Sequence, residues 1–173
     1  ILRLYNGDSL CFHREGREHG MAEYEARAVV SRSADGGRTW LPAVVIRQQK
    51  DWAISPRYPA QTPDGSVWLN LRMLKIRGDA RGWKWAIMRS ADDGHTWEQV
   101  SDRYGMGTGI PLSNGRLLYV NWTRSDPWNS VRSTFTSEWQ NGTMQFSDER
   151  VHLELGPSGD EWSIAETFTP GEL

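Results

Sequence analysis

Three places in this chain carry side chains of types and spacing that could do chemistry. The stretch His13-Arg14-Glu15-Gly16-Arg17-Glu18-His19-Gly20-Met21-Ala22-Glu23-Tyr24-Glu25 is the most polar segment of the sequence. Proton donation to a leaving-group oxygen needs only a group of suitable pKa within reach, so Glu23, Glu18 and His19 are candidate general acids, set against the plainer reading of a solvated charged hairpin. Arg14 of the same stretch is a candidate substrate contact. Arg57 stands in Ser55-Pro56-Arg57-Tyr58-Pro59-Ala60. The flanking prolines hold the backbone extended and aim the guanidinium consistently, which suits an anionic substrate group; the alternative is a surface arginine. Glu161, in Asp160-Glu161-Trp162-Ser163-Ile164-Ala165-Glu166, precedes a predicted strand. A carboxylate in a cleft is a usual acid, base or nucleophile of hydrolysis, and its plainer reading is an exposed loop carboxylate.

The elements that must position these residues are announced by a repeat. Ser33-Ala34-Asp35-Gly36-Gly37-Arg38-Thr39-Trp40 and Ser90-Ala91-Asp92-Asp93-Gly94-His95-Thr96-Trp97 match as Ser-Ala-Asp-x-Gly-x-Thr-Trp. Asp and Ser oxygens accept from backbone N–H groups of a tight turn, and the glycine can adopt positive φ. Arg27-Ala28-Val29-Val30 and Trp85-Ala86-Ile87-Met88 read as the preceding strands, and each Trp opens the next, so each copy is the corner of a β-hairpin.

Turn dipeptides recur with the same period at Asn6-Gly7, Asp64-Gly65, Asn114-Gly115 and Pro170-Gly171, their glycines 58, 50 and 56 residues apart. Apolar runs such as Val67-Trp68-Leu69 and Leu117-Leu118-Tyr119-Val120 follow two of them. In the third unit Ser137-Glu138-Trp139-Gln140-Asn141-Gly142-Thr143-Met144 keeps Ser, Gly and Thr of the motif but loses Asp and Trp, and reads as a decayed copy. Four short strands per unit of about 50 residues is the signature of a β-propeller blade. The expected divisions are 1–48, 49–105 and 106–155, with a further unit starting at 156–173.

Composition agrees. With 10 Trp, 17 Gly and 8 Pro, and no sustained 3.6-residue periodicity, the chain is expected to be all-β. A formal net charge of −2 offers no basic face for nucleic acid, and no stretch approaches the ~20 apolar residues of a membrane-spanning helix. A single cysteine excludes an internal disulfide. The acidic turns at Asp35 and Asp92 lack the alternating oxygen ligands of a calcium loop, so they are read as structural, and no metal or cofactor is expected.

The two motifs resemble the Asp box, or bacterial neuraminidase repeat, of the sialidase superfamily, whose members are six-bladed β-propellers. The resemblance implies that the chain is about three blades of such a propeller, the remainder being its missing partner. Ile1-Leu2-Arg3-Leu4-Tyr5-Asn6-Gly7-Asp8-Ser9-Leu10 resembles the segment that follows the family's Arg-Ile-Pro, which places that carboxylate-gripping arginine just before residue 1. Asp160-Glu161-Trp162-Ser163-Ile164-Ala165-Glu166 resembles the Asn-Glu-x-x-x-x-Glu stretch opening the fourth blade. By that resemblance Glu161 is the base that activates a tyrosine nucleophile; the tyrosine and two further arginines would lie beyond Leu173. The family's general acid is an Asp on the first-blade loop, and here that loop contains none, which leaves Glu23, Glu18 or His19 to substitute.

The implied activity is exo-hydrolysis, with retention, of terminal sialic acid or a related sugar from glycoconjugates, by a secreted or periplasmic protein, with these residues alone inactive. The alternatives are a propeller hydrolase acting on another sugar and a non-catalytic Asp-box propeller that binds glycan or protein. Two sequons, Asn121-Trp122-Thr123 and Asn141-Gly142-Thr143, would matter only in a eukaryotic secretory setting.

Overall fold

A computed structural model describes residues 1–16, 25–75, 82–103, 109–124 and 130–155. The described residues form strands, turns and bends with no helix, so the all-β expectation holds. The chain divides into two compact units, residues 1–61 with 65–103, and residues 62–64 with 104–173.

The first unit contains two antiparallel meanders of the same strand order. One is β1 (Leu2–Arg3), β2 (Ser9–Gly16), β3 (Ala26–Ser33) and β4 (Val44–Arg47), and the other is β5 (Trp52–Gln61), β6 (Val67–Lys75), β7 (Trp83–Ser90) and β8 (Glu98–Ser101). A parallel bridge at Ala26↔Ala53 joins them into one sheet. The meanders form because each strand alternates around a buried face. In β6, Val67, Leu69, Leu71 and Met73 are all buried in one cluster, and the cross-strand partners Ile54, Ala86 and Met88 join them. Leu10, Ala28, Val30 and Ile46 of the first meander complete the same core. Each such buried aliphatic side chain contributes roughly 1.5–3 kcal/mol relative to exposure.

Three of the turn dipeptides sit where the sequence places them, and the fourth, Pro170-Gly171, lies outside the described residues. Gly7, Gly65 and Gly115 have φ of +95°, +84° and +83°, and the Asn6 and Asn114 side chains each accept from the N–H two residues on. The first turn also fastens the two meanders together. Arg32 pairs with Asp8 at 2.6 Å and donates to the carbonyl of Asp93, while Asn6 Nδ2 donates to Asp93 Oδ2 at 3.1 Å. Tyr5 N–H donates to Gln61 Oε1 at 2.8 Å, and Gln61 Nε2 reaches the Gly65 carbonyl.

The second unit contains β9 (Ile110–Pro111), β10 (Leu117–Arg124), β11 (Ser130–Gln140), β12 (Thr143–Phe146) and β13 (Arg150–Leu155). The first four pair in sequence, repeating the meander, and β13 adds to β11. Tyr119 stacks on Phe135 with ring centroids 4.9 Å apart. The decayed motif keeps its frame but not its turn. Ser137 stands opposite Leu117 as Ser33 stands opposite Ser9 and Ser90 opposite Val67. Without the Asp to gather N–H groups, β11 continues to Gln140, and Asn141 and Gly142, at φ +50° and +76°, close a two-residue hairpin. Asn121 of the first sequon is buried and donates to Glu149, whereas Asn141 is exposed.

Candidate functional site

The two intact motifs close on themselves with the same bonds. Ser33 Oγ accepts from Gly37 N–H at 2.8 Å and donates to Asp35 Oδ1 at 2.8 Å; Ser90 Oγ does the same with Gly94 and Asp92, at 2.8 and 2.7 Å. The carboxylates are then filled from the far side. Thr39 donates N–H and Oγ1 to Asp35, and Thr96 donates both to Asp92. Each indole N–H returns to the turn, Trp40 to the Gly37 carbonyl and Trp97 to that of Gly94. One difference from the expected hairpin corner appears. Trp97 leads directly into β8, but β4 starts only at Val44, after Leu41, Pro42 and Ala43.

These bonds hold both acids well below the usual carboxylate range. The Thr39 hydroxyl and N–H, then Ser33, pull Asp35 down to about 2. For Asp92 burial acts upward but is outweighed by Thr96 and Ser90, which bring it to about 2 as well. A carboxyl with a depressed pKa stabilises the fold at pH values above its unfolded pKa of about 4 and loses that contribution as pH falls through about 2. The melting temperature of the wild type is therefore expected to fall between pH 4 and pH 2 more steeply than that of Asp35→Asn/Asp92→Asn. Parallel curves for the two proteins would show that the turns do not depend on the charge.

Asp92→Ala is expected to lower stability by about 1 kcal/mol at neutral pH, because water can hydrate part of this exposed turn once the carboxylate is gone. Thermal melts of the variant and wild type check it. The motifs lie at the opposite end of their strands from the polar stretch. Five residues separate Arg14↔Ala28 from Ser9↔Ser33, about 17 Å at ~3.4 Å per residue.

The arginines singled out in the sequence come together with a third that was not. Ser55↔Arg72 and Arg57↔Asn70 are successive same-face pairs of β5 and β6, so Arg57 and Arg72 are diagonal neighbours on the face turned away from the Leu69 core. Strand β2, carrying Arg14, contacts β5, although β3 makes the backbone bridge to it. Arg57 and Arg14 both act on the Arg72 guanidinium. Burial first, then Arg57 and Arg14, lower the Arg72 pKa, and Tyr58 acts in the other direction. Arg72 lies over the Trp83 ring, 5.3 Å from its centroid, and Trp83 is half exposed.

Arg57 is the sixth residue of its strand, at a bulge where the register shifts between Arg57 and Ala60. Tyr58, within that bulge, has φ +50°. An aromatic residue in the left-handed region ahead of a proline costs roughly 1–3 kcal/mol and persists only where its surroundings impose it. The signal for Arg72 was present in Val67-Trp68-Leu69-Asn70-Leu71-Arg72-Met73-Leu74, where Asn70 and Arg72 interrupt an apolar strand two residues apart.

The candidate acids Glu18, His19 and Glu23, and Glu161, lie outside the described residues. Among the described residues no group of three or more His, Cys, Asp or Glu gathers as a metal site would require. The stem of the polar stretch is described. There Glu15 pairs with Arg27 at 2.5 Å, and Glu25 Oε1 accepts from the Asp51 N–H at 2.9 Å.

No protein-family model and no curated protein sequence matches the chain. Its fold is similar to that of a crystal structure of a protein of unknown function from Dyadobacter fermentans, with a TM-score of 0.59 at 18% identity. The match covers 84% of this chain and 52% of that one, so the chain spans about half the length of the structure it resembles.

Proposed function

We propose that the chain forms consecutive blades of an Asp-box β-propeller, and that the arginine-bearing face of β5 and β6 binds the anionic group of a glycan which the complete protein hydrolyses as an exo-acting, retaining glycosidase resembling sialidases. The observation that carries this reading is the convergence of Arg14, Arg57 and Arg72 beside the strained Tyr58. Guanidinium groups recognise carboxylate, sulfate and phosphate through paired N–H donors, and strain held at a bulge accumulates where a side chain must be aimed. Three meanders of one strand order, two closed by identical turns, support the propeller.

In the reaction so read, the arginines orient the sugar, an acid of the 17–24 segment protonates the leaving oxygen, and Glu161 draws the proton from a tyrosine that attacks the anomeric carbon. A phenol of pKa near ~10 needs such a base at neutral pH. The experiment is hydrolysis of aryl sialosides, then of aryl glycosides of other acidic and neutral sugars, by the complete protein. Glu161→Gln, near-isosteric, is expected to keep the fold and lose about 10²-fold in kcat. Unchanged turnover in that variant would remove Glu161 from the mechanism. The absence of an Asp from residues 13–25 favours a second reading, a propeller hydrolase acting on another sugar, and a glycan-binding propeller without turnover is what remains if none of the glycosides is cleaved but glycans bind.

A further inference from the structure

A cleft of about 410 Å³ opens in the first unit where β2 ends and β3 begins, lined by Glu15, Gly16, Glu25, Arg27, Gln48 and Gln49, with Ala26 as its apolar contribution. That volume lies within the range of small-molecule sites. Its chemistry narrows the occupant. Two carboxylates disfavour an anion. A metal ion would have to displace Arg27, whose Nε and Nη2 both hold Glu15 Oε2 at 2.5 Å. An apolar ligand would strip water from five polar side chains without replacing their hydrogen bonds.

What remains unspent is a mixed set of donors and acceptors. The Gln48 and Gln49 side-chain amides have no hydrogen-bond partner among the described residues. Glu25 keeps one oxygen beyond the bond from Asp51, and Glu15 keeps Oε1. Sugar hydroxyls, each both donor and acceptor, match such a set. The walls are fixed by close packing, since a Cβ on Gly16 would lie 2.9 Å from Ala26 Cβ and 3.1 Å from the Glu25 carbonyl oxygen.

We propose that this cleft, whose lining includes none of Arg14, Arg57 and Arg72, is a second carbohydrate subsite that takes a neutral pyranose unit through Gln48, Gln49, Glu15 and Glu25. It deepens the glycan-directed reading above and rests on it only for the choice of a sugar over another polyol. It gives the protein a hold on the neutral part of a glycoconjugate whose charged end is gripped elsewhere.

The test is saturation-transfer NMR and calorimetry on the complete protein with lactose, maltose and cellobiose as probes. At least one disaccharide is expected to bind. Its affinity should drop at least tenfold in Gln48→Ala/Gln49→Ala, whose exposed and half-exposed side chains leave the fold intact, and stay at the wild-type value in Arg57→Ala. Gly16→Ala should also weaken it by pushing β2 and β3 apart. If no disaccharide binds wild type, or if the double glutamine variant binds as wild type does, the proposal is overturned. Binding that disappears in the double variant, in a protein without glycosidase activity, would sustain the subsite and sink the hydrolase, so the two failures are distinguishable.

Discussion

Gly94→Ala is expected to destabilise the protein by about 2–4 kcal/mol, the added methyl group meeting a closer neighbour here than at the other described glycines. Two costs add at this position. Gly94 has φ +88°, and an L-residue there carries roughly 1–2 kcal/mol of steric strain. Its new Cβ would also lie 2.7 Å from Leu10 Cδ1. Leu10 is 1% exposed within the core shared by the two meanders, so it cannot swing into solvent and its neighbours must yield. Gly37 is the matched control. It occupies the same place in the first motif at φ +89°, but the nearest atom to an added Cβ is Trp40 Cζ2 at 3.5 Å, an ordinary contact. Gly37→Ala therefore carries the strain without the clash. Denaturant unfolding of both variants separates the terms. Equal losses would mean that the second motif is not seated on the first meander.

That seating marks where sequence reading stops. The motif is legible because its bonds are local. Ser33, Asp35, Gly37 and Thr39 satisfy one another within seven residues, and no distant partner is needed to recognise the turn. The strand order follows from the same locality, since each strand pairs chiefly with its chain neighbour. The partners of Asp93 are not legible. It looks like a spare acid in a variable position of the motif, yet Asn6 and Arg32 bond it from far along the chain. Gly94 likewise reads as a turn glycine, and only the packed structure shows that Leu10 leaves no room for a side chain.

The site was legible in a similarly uneven way. Arg57 stands out through its prolines, which by themselves suit an extended strand. The structure instead bends it, with Tyr58 in the left-handed region between them. A bulge depends on the register with β6, which a single strand does not reveal. Arg72 hid among apolar neighbours because alternation hides one face behind the other. Val67, Leu69, Leu71 and Met73 proclaim a core strand, and Asn70 and Arg72 ride on its far side. In the third unit Ser137 keeps its cross-strand place although the Asp is lost, so partial similarity locates the register, and the corner is closed instead by a two-residue turn at Asn141 and Gly142.

Removing two of the converging arginines gives the largest functional effect expected. On the proposed function, kcat/KM of Arg14→Ala/Arg57→Ala for an anionic aryl glycoside should fall by roughly 10²–10⁴, because each charge-assisted hydrogen bond to an anion contributes about 1.5–3 kcal/mol. The loss should appear mainly in KM, since the anionic group is gripped equally in ground and transition states. In Arg57→Ala alone stability should rise slightly or stay level, because Arg57 is exposed and its charge, after burial, disfavours the charge on Arg72. Arg57→Lys should recover part of the affinity through charge while losing the paired donors. Raising the ionic strength should weaken the wild type more than the double variant, as screening acts on the charges that remain. A neutral glycoside supplies the control, because its kinetics should be nearly the same in both proteins. If the double variant melts lower than wild type and loses activity on charged and neutral substrates alike, the arginines hold the sheet together and do not bind an anion.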